Sequence, residues 1–286
     1  NYGKKFYGPS TLRKGIEYSR NLMTVRISQN LGLNKILKLS KDLNIYQDIP
    51  ELLSVSLGSA ETTLLNITAA YATFANGGYK VKPILIDRIQ DRRGKTIFNS
   101  EKRKCIGCDR FLGQTDQVPT IMNKYKKVIS QETAYQITSI LEGVVQRGTG
   151  KKLRDLKVPL AGKTGTTNNN YDAWFIGYSS NLVIGVYIGF DNPKSLGKYE
   201  TGSKAALPIF KNFVKNALYK EDFKNFLIPP NIHFASVNYD TGKQVNLGAK
   251  NSIVEAYKLK DINKEQNKNL EIQNNYDKLI KFRQFY

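Results

Sequence analysis

Two short groups of residues in this chain have the types and spacing of a reaction site. In Ala161-Gly162-Lys163-Thr164-Gly165-Thr166-Thr167 a lysine stands beside two threonines two positions apart. Side chains two apart on a strand point the same way, so Thr164 and Thr166 would present both hydroxyls to one side. Lys163 adds a positive charge at the edge of the same strand, and a cation with two hydroxyls is a combination suited to an anionic group. The second group, Ser19-Arg20-Asn21, offers a hydroxyl and a side-chain amide. Each residue also has a plainer reading. Ser19 alone would serve as the N-cap of a helix beginning near Leu22, and Lys163 alone would be an ordinary surface lysine.

The elements that must position these groups follow from periodicity. Residues 16–44 predict two short helices, with Leu22, Val25, Ile27 and Leu31 near helical spacing before Gly32 interrupts. Ala60–Asn76 predicts a helix with Leu64, Ile67, Tyr71 and Phe74 on one face, stopped by Asn76-Gly77-Gly78. Ile84–Ile89 and Lys95–Phe98 read as a hairpin around Asp91-Arg92-Arg93-Gly94. A polar connector follows, then a helix over Gln131–Gln146 with Ala134, Ile137, Leu141 and Val144 inward. Strands are expected over Gly162–Thr167, Ala173–Tyr178 and Leu182–Phe190, and a helix over Ala205–Leu218. The continuous run Leu182–Ile188 implies a strand buried on both faces, and Gly177, Gly185 and Gly189 would let helices approach it closely.

Composition bounds the class. With 286 residues, 40% of them hydrophobic, the chain can bury a sizeable core. No apolar run is long enough for a transmembrane helix. The first residue is Asn1 with no signal-peptide pattern after it, which suggests a chain that starts inside a larger gene product. A net charge of +20 is spread along the whole sequence; without a nucleic-acid-binding module beside it, it reads as compositional bias and no nucleic acid is expected as a partner. Cys105-Ile106-Gly107-Cys108 could be a small loop disulfide in an oxidising compartment, a pair of free thiols, a redox pair or part of a metal site. The first is favoured, because the only histidine, His233, is distant in sequence and reads as a surface residue. No metal and no cofactor are expected.

The stretch from Tyr2 to Leu218 resembles the class A penicillin-binding proteins. The K-T-G of Lys163-Thr164-Gly165 follows a helix ending in Gly148-Thr149-Gly150 and precedes Asp172-Ala173-Trp174-Phe175-Ile176-Gly177. Ser19-Arg20-Asn21 matches the family's Ser-x-Asn element. Ser56-Leu57-Gly58-Ser59, Ala70–Gly78 and Gly189-Phe190-Asp191 complete the family order.

The resemblance implies an α+β fold, the penicillin-recognising serine transpeptidase fold, with a mainly antiparallel sheet flanked by helices and a site at one sheet edge. It implies a D,D-transpeptidase that cross-links peptidoglycan stem peptides through an acyl-serine intermediate, in a bacterial periplasm and anchored to the inner membrane. Stem peptides and β-lactams would be its ligands. Lys163 would hydrogen-bond Ser19, the proton relay. Asn21 would bind the substrate amide, and Thr164 and Thr166 its carboxylate. Gly165 would leave room for the substrate, and the Thr166 N–H would supply an oxyanion donor. The family's nucleophilic S-x-x-K is not found before Ser19. The string Ser195-Leu196-Gly197-Lys198 follows the K-T-G instead, in a Pro/Gly loop. The expectation is therefore a domain incomplete at its N-terminus and inactive alone. A non-catalytic remnant or binding fragment, and a D,D-carboxypeptidase or β-lactamase relative, are the alternatives. The domain would run over 1–220 with a small insertion at about 83–130, a short extension over 221–249 and a polar, disordered tail over 250–286.

Overall fold

The computed structural model describes residues 7–46, 49–100, 105–108, 118–121, 125–219 and 222–262. It opens with three helices, α1 (Leu12–Glu17), α2 (Asn21–Leu31) and α3 (Leu33–Asp42), where two were expected. The extra one is α1, which begins at Thr11, whose hydroxyl accepts from the Lys14 N–H at 3.3 Å. Six residues are too few to hold a helix in isolation, so α1 takes its position from what it packs on. Helix α4 (Leu64–Ala75) is capped by Thr63 and ends where the Gly78 N–H reaches the Thr73 carbonyl at 2.8 Å.

An exposed ribbon follows, with β1 (Arg88–Gln90) antiparallel to β2 (Thr96–Asn99). A second small pair joins β3 (Cys105–Ile106) to β4 (Thr120–Ile121), and Cys105 and Cys108 are disulfide-bonded, the favoured reading of that motif. Helix α5 (Gln131–Gln146) is then capped by Ser130.

The central sheet is antiparallel, in the order β5 (Ala161–Thr166), β6 (Ala173–Tyr178), β7 (Val183–Ile188). Phe175 of β6 meets Phe210 of α6 (Ala206–Ala217) with ring centroids 4.8 Å apart. On the opposite face Tyr178 hydrogen-bonds Thr138 of α5 at 3.0 Å and packs edge-on to Tyr71 of α4. The sheet is thus sandwiched between α6 and the α4–α5 pair. Close helix approach does need Gly177 and Gly185: a Cβ at Gly177 would come 2.6 Å from Phe210, and one at Gly185 2.2 Å from Thr68. Gly189 instead faces Tyr187 and Asp172. Strand β7 is only half-buried, against the expectation from its apolar run, because it forms an edge of the sheet although both α4 and α6 pack on it.

The expected end of the packed domain at 220 and tail from 250 are corrected by a hairpin, β8 (Ile232–Asn238) with β9 (Ser252–Lys258). Ile232, Phe234 and Ala256 join Tyr135, Leu141, Val144 and Tyr178 in one core cluster. Short runs of alternating residues were hidden there by the Lys- and Asn-rich surroundings, and pairing with a partner strand gives them a buried face. His233, read as a surface residue, is half-buried in β8 opposite Tyr257. The rest of the expected tail, 263–286, lies outside the described residues.

Candidate functional site

Ser19 sits in the turn between α1 and α2. Its N–H reaches the Ile16 carbonyl at 3.1 Å, and the Arg20 N–H reaches the Gly15 carbonyl at 2.8 Å. Those two bonds close a helix end whose second-last link normally carries glycine, because the chain there must turn left-handed. Ser19 does so with φ 52°. The N-cap reading of Ser19 is therefore replaced: it follows α1, and Arg20 is the residue before α2, without a side-chain cap bond. A serine held in this strained conformation keeps its hydroxyl free of the helix start. Asn21 opens α2 exposed, and no side-chain hydrogen bond of it falls among the described residues.

The hydroxyl of Ser19 faces the sheet. Lys163, on the outer strand β5, donates from Nζ to Ser19 Oγ and to the Thr164 carbonyl, the latter at 2.9 Å. These are neutral acceptors, and burial alone pulls the lysine pKa down from 10.5 to about 8. An ammonium has three donors, so one remains for an incoming group.

Lys163 pairs across the sheet with Ile176, Thr164 with Phe175 and Thr166 with Ala173. Neighbours on a strand alternate faces, so both threonines lie on the side opposite the lysine, wrapping the free edge of β5 with polar groups. Thr164 Oγ1 lies 2.8 Å from Thr149 Oγ1. Thr166 Oγ1 accepts from the Gly202 N–H at 3.0 Å, which leaves its own proton to donate elsewhere. Gly165 has a packing reason distinct from room for a substrate: a Cβ there would crowd Trp174 at 3.0 Å. Trp174 itself stacks on Tyr187 with centroids 4.5 Å apart. Asp172 closes the β5–β6 turn, its N–H donating to Thr167 Oγ1 at 2.8 Å.

Of the residues named from the sequence, the fold brings Ser19 and Lys163 together across 144 residues. In the sequence pattern Gly148-Thr149-Gly150 is only a flank. Thr149 in fact joins the two groups, since its N–H donates to the Glu17 carbonyl at 3.1 Å while its hydroxyl meets Thr164. The Ser195 string lies on an exposed loop, where Ser195 Oγ donates to the Asn169 carbonyl at 2.9 Å and accepts the Gly197 N–H at 3.2 Å.

The family model "Penicillin binding protein transpeptidase domain" matches residues 1–215. Penicillin-binding protein 1A of Rickettsia prowazekii is 41% identical over 271 residues, covering 93% of this chain and 34% of that protein. Penicillin-binding protein 1A of Pseudomonas aeruginosa is 33% identical over 290 residues, covering 90% of this chain and 35% of that protein. The chain thus spans about a third of the length of these relatives. The crystal structure of penicillin-binding protein 1A from Haemophilus influenzae superposes with a TM-score of 0.75 at 29% identity, over 90% of this chain and 41% of that one.

Proposed function

Because this chain belongs to the penicillin-binding protein transpeptidase family, we propose that it supplies the K-T-G and Ser-x-Asn half of an acyl-serine D,D-transpeptidase site. The observation that carries the reading is the contact of Lys163 Nζ with Ser19 Oγ at the free edge of the sheet. In the proposed reaction a nucleophilic serine, on an S-x-x-K segment preceding Ser19 in the family pattern, attacks the carbonyl of the penultimate D-alanine of a stem peptide. The amide bond to the terminal D-alanine breaks, and its nitrogen leaves with a proton. The amine of a second stem peptide then attacks the acyl-serine ester, releases the serine and completes the cross-link.

In this reading Ser19 passes the proton to the leaving nitrogen, and Lys163 holds the Ser19 hydroxyl in place. With a pKa near 8 the lysine can also exist neutral close to working pH, as proton traffic requires. The unused donors of Thr166 and Lys163 receive the terminal carboxylate, together with Thr164. Asn21 binds the substrate amide, and the Thr166 N–H contributes to an oxyanion hole worth about 3 kcal/mol in the transition state. A β-lactam presents the same carboxylate and a strained amide, so it would acylate the same serine. Acting on peptidoglycan, the enzyme of this reading works in a bacterial periplasm beside the inner membrane. We assign the domain to 1–262, with the ribbons of 83–130 as an insertion.

Labelling with a fluorescent penicillin, read by intact mass, tests this. The chain is compared with a version extended into its natural upstream sequence. A penicilloyl adduct on the extended protein, lost in Lys163→Ala, is the expected result. Absence of label in both would leave only the ancestry and favour a non-catalytic binding role. Label on the chain itself would move the nucleophile into it, with Ser195 and Ser19 the first peptides to map.

A further inference from the structure

Two residues before Ser19, the side chain of Glu17 is completely buried among polar partners. Its Oε1 accepts from Arg147 Nη2 at 2.6 Å, and its Oε2 accepts from the Tyr239 hydroxyl at 2.6 Å and from Arg147 Nε at 3.2 Å. Arg13 lies 3.5 Å from Oε1, one turn back on α1, and makes its own bidentate pair with Glu255. Helix α5 makes room for the carboxylate at Gly143, where a Cβ would fall 1.8 Å from Oε1. Glycine at 143 thus leaves the space that the carboxylate occupies.

The carboxylate does not touch the reactive edge, yet its residue is tied to it twice. Along the chain, Glu17 is the last residue of the six-residue α1, and the left-handed turn of Ser19 starts directly after it. Through space, the Glu17 carbonyl accepts the Thr149 N–H at 3.1 Å, and Thr149 meets the K-T-G strand at Thr164. A helix this short has no stable position of its own, and a serine at φ 52° relaxes elsewhere unless its surroundings hold it. The partners of α1 in the last hairpin, Tyr239, Asp240 and Glu255, lie beyond residue 215, where the family match stops.

We propose that Glu17 is a positioning residue of the transpeptidase site, which, clamped by Arg147 and by Tyr239 of the C-terminal hairpin, sets the Ser19 hydroxyl against Lys163. The hairpin is then a working part of the catalytic domain and not an appendage. This rests on the reading of Ser19 and Lys163 given above.

The test follows acylation by fluorescent penicillin in the chain extended into its natural upstream sequence, at a temperature where circular dichroism finds each variant folded. Saturation kinetics separate the binding constant from the first-order acylation rate. Tyr239→Phe removes one hydrogen bond and no charge. It is expected to lower the saturated rate about 5- to 30-fold while the binding constant stays within about twofold. Glu17→Gln lowers the rate further; where it fails to fold, Tyr239→Phe decides alone. A merely structural clamp lowers the melting temperature and leaves the saturated rate of the folded molecules at the wild-type value, and that result overturns the proposal. Ser19→Ala is the reference. If it loses the rate while both clamp variants keep it, the positioning role falls and the site assignment stands. If Ser19→Ala itself acylates like wild type, the site assignment falls, and the positioning role with it.

Discussion

On one side of the Ser19 turn, Arg13 and Arg147 meet Glu17 and Glu255. On the other, Lys163 is half-buried, and among the described residues its ammonium meets neutral oxygens. The first cluster is balanced, two guanidinium groups against two carboxylates, and Tyr239 and Ser139 take up remaining donors and acceptors. Such a network fixes geometry, and breaking it leaves an uncompensated buried charge. The second is deliberately incomplete in electrostatic terms: its missing counter-charge is the kind of group a substrate carboxylate would bring. The fold therefore neutralises the charges that hold the turn and leaves unneutralised the one that faces the open edge.

The largest expected effect breaks the balanced side. Glu17→Gln leaves two arginines with one carboxylate and should lower stability by about 3–5 kcal/mol, read from urea melts. A loss below about 1 kcal/mol would mean that water reaches the cluster.

Lys163→Met tests the unbalanced side and should have the opposite sign, raising stability at pH 7 by about 1–3 kcal/mol because a desolvated charge is removed. Its pH dependence sharpens the point. The unfolded lysine holds its proton up to pH 10.5, and the folded one only up to about 8. Between those values the unfolded chain binds more protons, so wild-type stability rises with pH across that window, and the penalty is complete below pH 8. Lys163→Met should flatten that rise in melts at pH 7 to 10.5, while the upstream-extended protein loses penicillin acylation. A steeper rise in the variant would refute the assignment.

Ser19→Gly separates fold from function at the turn between the two sides. Glycine suits the left-handed backbone, so the melt should improve by about 1 kcal/mol as acylation falls. Ser19→Ala, which loses the hydroxyl without that relief, should not gain stability. Reducing the Cys105–Cys108 disulfide should have the smallest effect, since it closes a short loop in an exposed ribbon. Acylation and the main melting transition are expected to stay as they were.

Much of this arrangement was legible in advance where short-range spacing governs it. Helix α5 follows from Ala134, Leu141 and Val144 at helical intervals, and the β5–β6–β7 meander from the three strands expected over Gly162–Thr167, Ala173–Tyr178 and Leu182–Phe190. Helix α1 was not legible, because six residues carry less than two turns of pattern and the helix exists by packing on α5 and the hairpin. The C-terminal hairpin was missed for a related reason. Alternation in Ser252–Lys258 is weak, and Glu255 reads as a solvated charge until Arg13 is found against it.

What the sequence determined by itself was the chemistry available and its local orientation: a lysine and two hydroxyls on a strand, a serine and an amide near a helix start, and the family order that joins them. Those properties depend on residues a few positions apart, whose relative directions the backbone dictates. Only the tertiary structure decided that Ser19 takes a left-handed turn, that its hydroxyl meets Lys163, and that Glu17 anchors the turn to a hairpin more than two hundred residues away. Charge compensation across such distances leaves no periodic trace in the chain. It becomes visible when packing removes water and each buried charge must find its partner or go without.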